Sequence, residues 1–302
     1  MDPGMDIARK GGGGMVSVVI AAHNEESVVG RCIDALVQQG VDPPHIFVSA
    51  NGCTDATARV AQARGVTVIS RVEPGKPAAL NAADAVADTF PRVYLDADIV
   101  VPAGAIDAVD RMFAGADAPL AAAPHRRIDT DGCAMPVRAY YAINERLPIF
   151  RNGLFGRGMF AVSAEGRERF AEFPAMTADD LFADSLFDAH EKRPLDDIEI
   201  RVAAPRSTRS LITRLVRVRR GNTEMRAAAA RGDVRHSVPP SDRRAWARVV
   251  REDPRLVFAA VPYVVITLTA SLLARRTPAP TAGWGRDDST RTAPSLAQWG
   301  ST

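Results

Sequence analysis

The chain has 302 residues, 46% of them hydrophobic and 25% charged, which suffices for a sizeable buried core and excludes a disordered protein. Its three cysteines, Cys32, Cys53 and Cys133, lie far apart with no C-x-x-C pair, and its five histidines show no ligand spacing, so a disulfide framework and a structural zinc site are excluded and a reducing compartment is expected. The net charge of +2 hides an asymmetry: residues 1–200 hold 19 basic and 29 acidic side chains, whereas residues 201–255 hold 15 arginines against Glu224, Asp233, Asp242, Glu252 and Asp253. Such a basic block calls for phosphate groups, an anionic membrane surface or nucleic acid. No nucleic acid is expected as a partner, because no helix-turn-helix, zinc-finger or RNP-like pattern accompanies the arginines and no aromatics alternate with them.

Residues 1–14 end in four glycines without an apolar stretch, which reads as a flexible leader and not a signal peptide. Met15 to Ala22 is a continuous apolar run suited to a central parallel strand. His23-Asn24-Glu25-Glu26 follows, then a helix with Val29, Cys32, Ile33, Leu36 and Val37 on one face and Gly40 at its end. The pattern repeats: a strand over His45 to Ala50, a turn at Asn51-Gly52-Cys53-Thr54, a helix capped by Thr54 or Asp55, and a third strand over Val66 to Ser70. Gly75-Lys76-Pro77 opens another helix, with proline in the first turn where its missing N–H costs little. Strands alternating with helices imply an α/β fold with a doubly wound, mainly parallel sheet, whose ligands bind beyond the carboxyl ends of the strands.

The fourth strand, Arg92 to Leu95, delivers Asp96-Ala97-Asp98. Alternation along a strand turns both carboxylates to one side, with only an alanine between them. Such a pair suits a hard divalent cation, Mg2+ or Mn2+, which is often held by one or two carboxylates plus the phosphates of a substrate. A capped strand end would also contain these residues.

Taken together, Val18 to Glu26, Ala50 to Thr57, Gly75 to Asn81 and Asp96 to Asp98 form four motifs in order and spacing that resemble family 2 glycosyltransferases, densely over residues 15–100 and more weakly to about 220. The resemblance implies a GT-A type fold in which a nucleoside-diphosphate sugar lies at the strand ends and Mn2+ or Mg2+ bridges its diphosphate to the Asp-x-Asp motif. It places Ala22, Glu25 and Asn51 at the donor base and ribose, Lys76 at its charged part, Asp96 towards the nucleotide and Asp98 as the direct metal ligand, with Asp96 its partner. A UDP-sugar is the expected donor, although the family often has two acidic residues where this chain has Ala50-Asn51. An asparagine amide both donates and accepts and can still read a base.

Phe155 to Ser163 is a glycine-rich approach to a strand, similar to the family segment lining the sugar and acceptor pocket, which puts Gly158 at the substrate. Ala178-Asp179-Asp180-Leu181 starts a helix expected to reach about His190. Acids in a first turn are also ordinary caps, but the resemblance makes Asp179 a substrate contact and Asp180 the general base. Arg214, Arg217, Arg219 and Arg220 follow with helical spacing, the run closing at Gly221. Arg217 and Arg220 contact a diphosphate or a phosphorylated acceptor in one reading and form a solvated face in the other. The segment is similar in placement to the Gln-x-x-Arg-Trp element of membrane-embedded family members but lacks its glutamine and tryptophan.

Leu256 to Ala274 holds no charge over 19 positions and is bracketed by Arg255 and Arg275-Arg276. At about 1.5 Å per residue it is long enough for a hydrocarbon core of ~30 Å, and the basic flank fits an anionic leaflet, so membrane association with a cytoplasmic catalytic domain is expected. A helix docked on the domain is the alternative. The expected organisation is thus a leader (1–14), a nucleotide-sugar-binding half (15–110), an acceptor and catalytic half (111–222), an Arg-rich connection (223–255), a C-terminal hydrophobic helix (256–274) and a disordered tail (275–302). The expected activity is inverting, metal-dependent transfer of a sugar to an acceptor hydroxyl, with a lipid-linked or cell-envelope acceptor in view. A nucleotidyltransferase of related fold or a non-catalytic nucleotide-sugar-binding scaffold would share the sheet. The first would need a glycine-rich phosphate loop after the first strand, and the second would need no base.

Overall fold

A computed structural model describes residues 16–176, 178–232, 242 and 244–276. The expected leader lies outside these residues, as does the expected tail beyond Arg276. In chain order the elements are β1 Ser17–Ala22, α1 Val29–Gln38, β2 Ile46–Asn51, α2 Thr57–Gln62, β3 Thr67–Arg71, α3 Lys76–Asp84, β4 Arg92–Asp96, α4 Ala105–Ala114, β5 Ala121–Asp129, α5 Met135–Asn144, α6 Ile149–Asn152, β6 Met159–Val162, α7 Ala164–Arg167, α8 Asp179–Ser185, β7 Lys192–Ala203, α9 Thr208–Arg231, α10 Ala245–Glu252 and α11 Val257–Arg276.

The strands join in one sheet of order β3-β2-β1-β4-β6-β5-β7. β1, β2, β3 and β4 pair in parallel, β6 runs antiparallel to both of its neighbours, and β5 pairs with β7 in parallel. The four alternating strands are where the apolar runs imply them, and the reversal at β6 makes the sheet mixed. Period-two alternation divides each central strand between two cores. Val18, Ile20 and Ala22 of β1, with Val93 and Leu95 of β4, face the core that holds α1 and α4. Val19, Ala21 and Tyr94 face the core of α3 and α8. The apolar face of α1 is buried at Val29, Cys32, Ile33 and Leu36, whereas Val37 is 40% exposed.

A third core, built from Ile128, Tyr140, Ile143, Leu211, Val249, Tyr263 and Ile266, ties α5, α9, α10 and α11 into an outer helical layer. It rests on the far arm of the sheet, where the β5–β7 register slips between Pro124 and His125 so that Pro124 meets Leu195 but His125 meets Glu199. α9 is one helix of 24 residues that passes through Gly221 without a break, so the expected boundary at 222/223 falls inside it. α8 ends at Ser185, short of His190, because the chain turns there into β7, an edge strand whose Lys192 ammonium donates to the Asp184 carboxylate at 2.8 Å.

Candidate active site

The loops after β1 and β2 lock to one another at the carboxyl ends of the strands. Asn24, held at a φ of 54°, accepts from the Thr54 N–H at 2.7 Å, the Glu25 N–H donates to Thr57 Oγ1 at 2.7 Å, and Glu26 accepts from the Ala56 N–H at 2.9 Å. The N-cap of α2 is Ala56 and not the expected Thr54 or Asp55, but Asp55, one residue earlier, accepts from the Thr57 N–H at 2.9 Å. Ala22, Glu25 and Asn51 are all buried here. The Asn51 amide donates to the Gly75 carbonyl and so fixes the turn that opens α3. Its side-chain oxygen is buried and left without a hydrogen-bond partner, and Glu25 lines the cleft.

β4 ends at Asp96, and the Ile99 N–H closes a turn on the Asp96 carbonyl at 3.1 Å. The pairing of the two acids therefore does not come from a continuing strand, as the alternation argument assumes. Ala97, Ile99 and Val101 nevertheless stay buried in the core of α1 and α4, which leaves Asp96 and Asp98 turned away from it, Asp96 half-buried and Asp98 exposed. Both raise the pKa of the buried Cys32 thiol, behind the larger effect of burial itself. The Asp96 N–H donates to the Gly158 carbonyl at 2.8 Å. Gly158 has a φ of 72°, and a Cβ there would meet Ile99 Cγ1 at 2.6 Å and Asp96 Oδ2 at 3.5 Å, so the close approach of this loop to the acid requires glycine.

Alternation turns Asp96 to the face occupied by α3, and the Lys76 ammonium at the start of that helix donates to Asp96 Oδ1 at 2.7 Å and lies 3.0 Å from Asp179 Oδ2. A lysine at a helix N-terminus opposes the helix dipole, and these carboxylates offset the cost. Burial disfavours its charge, but Asp179, Asp96 and Asp180 together raise its pKa above the ordinary lysine range. Asp179 is buried, and that burial pushes its carboxyl up to about 6 against the pull of Lys76. Asp180 is the neighbouring acid on α8. Its two oxygens accept from the Gly156 N–H at 2.7 Å and the Leu181 N–H at 2.8 Å, which fixes its rotamer at the cleft.

One cleft of about 3870 Å³ contains Glu25, Lys76, Asp96, Asp98, Gly158, Asp179, Asp180, Arg217 and Arg220 among its lining residues, and Ala22 and Asn51 are absent from that lining. Arg217 and Arg220 reach it from α9 beside Arg214. Among the described residues no group of three or more His, Cys, Asp or Glu side chains converges on one point, so the chain offers a cation two carboxylates, with other ligands to come from a bound molecule. The sequence reading passes over Arg126 of β5, whose guanidinium also enters this cleft. Its signal, the first of two adjacent arginines in an Ala-Ala-Ala-Pro-His-Arg-Arg-Ile strand, is legible only once that strand is assigned and its two faces are told apart.

The family profile described as glycosyl transferase family 2 matches residues 17–162, from β1 to the end of β6. Residues 17–162 are a family 2 glycosyltransferase domain. The domain contains β1 to β6 and the Asp-x-Asp turn, and α8 with its two acids lies beyond the matched span. A 4,4'-diaponeurosporenoate glycosyltransferase of Staphylococcus aureus is 40% identical over 58 residues, 19% of this chain, and the match spans only 15% of that relative's length. A mannosyltransferase from Pyrobaculum calidifontis, solved in complex with GDP-Man and Mn2+, is 18% identical over 88% of this chain and 77% of its own, with a TM-score of 0.56, which shows a shared GT-A type fold. A glucosyl-3-phosphoglycerate synthase from Mycobacterium tuberculosis is 22% identical over 63% of this chain and 70% of its own, with a TM-score of 0.44.

Proposed function

We propose that the chain is an inverting glycosyltransferase that moves a sugar from a nucleoside-diphosphate donor to an acceptor hydroxyl, with Asp180 as general base. One observation supports it above others: Lys76 joins the starts of α3 and α8 and the end of β4 at one point, directly beside Asp180. A cation among acids at the strand ends suits a diphosphate, and the adjacent, backbone-fixed carboxylate suits proton removal. The acceptor oxygen forms its bond to the anomeric carbon as the bond to the diphosphate oxygen breaks. The electron pair leaves with the diphosphate, and the hydroxyl proton passes to Asp180. A single displacement of this kind inverts the anomeric centre, and one carboxylate on the attacking side serves both the proton and the oxocarbenium-like charge.

Asp96 and Asp98 provide hard oxygen donors of the kind Mn2+ and Mg2+ take, and their number fits a site that phosphates complete. When bound, such an ion would offset the charge that develops on the leaving diphosphate. Lys76 supplies a second, permanent cation on the same side. Glu25, Gly158 and Asp179 shape the donor pocket, with Ala22 and Asn51 beside Glu25 at the base and ribose. A UDP-sugar is the donor expected from the motifs, and the Pyrobaculum enzyme's GDP-Man makes a GDP-sugar the first alternative to assay.

α11 bears on where the reaction happens. It packs on α5 and α9 through Tyr263, Ile266 and Ala270, while Phe258 (88% exposed), Val261 (67%), Val265 (56%), Leu268 (57%) and Leu272 (52%) form an outward stripe at spacings of three and four. By length and composition Pro254–Arg276 could cross a bilayer. Crossing would carry the arginines of α9, packed alongside, into hydrocarbon, so we place the helix in the plane of an anionic cytoplasmic leaflet with Arg251, Arg255, Arg275 and Arg276 at the headgroups. The acceptor would then be presented from that membrane. Titrating the protein with UDP- and GDP-sugars, with and without Mn2+, and following donor hydrolysis tests the activity. Ion-dependent binding and turnover of at least one donor is expected, and no binding of any would overturn it.

A further inference from the structure

Resting on that functional reading, we propose that Arg126 and Arg214 form a seat for an anionic group of the acceptor, a phosphate or a carboxylate, beside the general base. Along β5 the side chains alternate. His125 and Arg127, on one face, lie 3.5 Å from Asp196 and 3.7 Å from Glu199 of β7. Arg126, on the other face, turns into the cleft and donates only to neutral oxygens, the Gly156 carbonyl and Asn144 Oδ1, both at 3.3 Å, with its guanidinium 3.9 Å from the centre of the Phe150 ring. Among the described residues no carboxylate lies within ion-pair distance of Arg126 or of Arg214, which reaches the same cleft from α9. A third guanidinium adds to the field: Arg157 is buried and donates to the backbone carbonyls of Gly153, Pro124, Phe150 and Arg151, and Asp184, beyond ion-pair distance, offsets its charge only in part.

Burial pushes Arg126 down to about 10, with Arg214 and Arg157 adding to the fall and only Tyr141 and Glu145 opposing it. Concentrated positive charge in a partly desolvated pocket is costly until an anion enters, and a guanidinium fork matches the oxygens of a phosphate or carboxylate. The position relates the seat to the chemistry. The Gly156 N–H donates to Asp180 and the Gly156 carbonyl accepts from Arg126, so base and cation meet opposite ends of one residue. An anion held here keeps a hydroxyl a few bonds away in front of Asp180. From the seat the cleft runs on between α9 and α11 past Thr267, Leu268 and Ser271, a path that can take an apolar chain.

Calorimetric titration of the full-length protein with inorganic phosphate, n-decyl phosphate and decanoate, each with and without saturating UDP or GDP and Mn2+, tests the seat. Decyl phosphate is expected to bind whether or not the nucleotide is present. Arg214→Gln and the conservative Arg126→Lys should each weaken it about tenfold or more, as expected for loss of a charged hydrogen bond. An unchanged melting temperature in both variants serves as the folding control. Preference for decyl phosphate over decanoate or the reverse names the anion, and equal affinity for inorganic and decyl phosphate assigns a soluble acceptor instead of a lipid. Absence of probe binding, full displacement by nucleotide, or wild-type affinity in both variants overturns the proposal. Absence of nucleotide binding in the wild type counts against the glycosyltransferase reading and leaves the anion titration as the measure of the seat.

Discussion

The Lys76 ammonium lies 3.0 Å from Asp179 Oδ2, joining two helix N-termini that are about a hundred residues apart in sequence. Asp179 titrates at about 6 in the fold, above the ~3.9 of a free aspartate. The native state thus binds that proton more tightly than the unfolded chain, so this group's contribution to stability is greatest below pH ~4, falls as pH rises to about 6 and is level beyond. Asp179→Asn is expected to remove that slope, seen as a melting-temperature difference in the variant's favour that grows from pH 4 to pH 6. In Lys76→Met the carboxyl loses its cation, and its midpoint, followed by carbon NMR, is expected to move above 6.

Asp180 is held by two backbone N–H groups and so keeps its orientation without help from substrate. Asp180→Asn keeps the side chain's size but cannot take a proton, and its single amide oxygen accepts from only one of the two backbone N–H groups. Transfer is expected to fall by roughly 10²- to 10⁴-fold, the usual worth of a positioned base, with donor affinity little changed. Residual turnover close to wild type in a stopped assay would remove Asp180 from the role.

Away from the cleft, Asp84 is nearly inaccessible and accepts from Arg92 at 2.7 Å, Tyr94 at 2.8 Å and Arg167 at 2.6 Å, linking α3, β4 and α7. Asp84→Ala would leave two guanidinium groups without their anion. A destabilisation of about 3–5 kcal/mol is expected from breaking a buried pair, measured as a lower urea midpoint, with nucleotide affinity retained in the fraction that remains folded.

The outward stripe of α11 yields a prediction of a different kind. A Phe258→Asp, Leu268→Asp double variant changes two side chains that are 88% and 57% exposed, so the fold should tolerate it. Wild-type protein is expected to sediment with phosphatidylglycerol vesicles and less so at high salt, and the variant to stay in the supernatant. Equal sedimentation of both would argue for another cover over this face.

The parallel half of the sheet was legible because the apolar runs of β1, β2 and β4 lie in central, doubly covered strands and each polar turn sits at a strand end, where a ligand site forms. β5 and β7 were not. Ala121 to Ala123 gives a small-residue strand with little hydrophobic signal, and β7 carries Pro194 and six charged side chains, which an edge strand tolerates but a sequence pattern hides. The reversal at β6 is a long-range pairing with β4 that local periodicity cannot encode. The same limit applies to the site. Lys76, Asp96 and Asp180 stand in recognisable motifs, whereas Arg126 acquires significance only when Gly156 and Asn144 are brought to it from elsewhere in the chain. Asn51 is a motif residue whose amide N–H holds the Gly75 carbonyl while its oxygen is left without a partner.

α9 has consequences beyond the arginines it displays. Its first turns are anchored through Leu211 in the core shared with α5 and α11, and its last turns through Met225 and Ala228 in the core shared with α8. At about 1.5 Å per residue the helix is a rod of roughly 36 Å. A rod clamped at both ends transmits displacement, so pressure or tilt applied to α11 reaches the helix that bears Asp179 and Asp180. The outer layer and α8 are then joined through one continuous helix, so whatever settles against α11 is mechanically linked to Asp179 and Asp180.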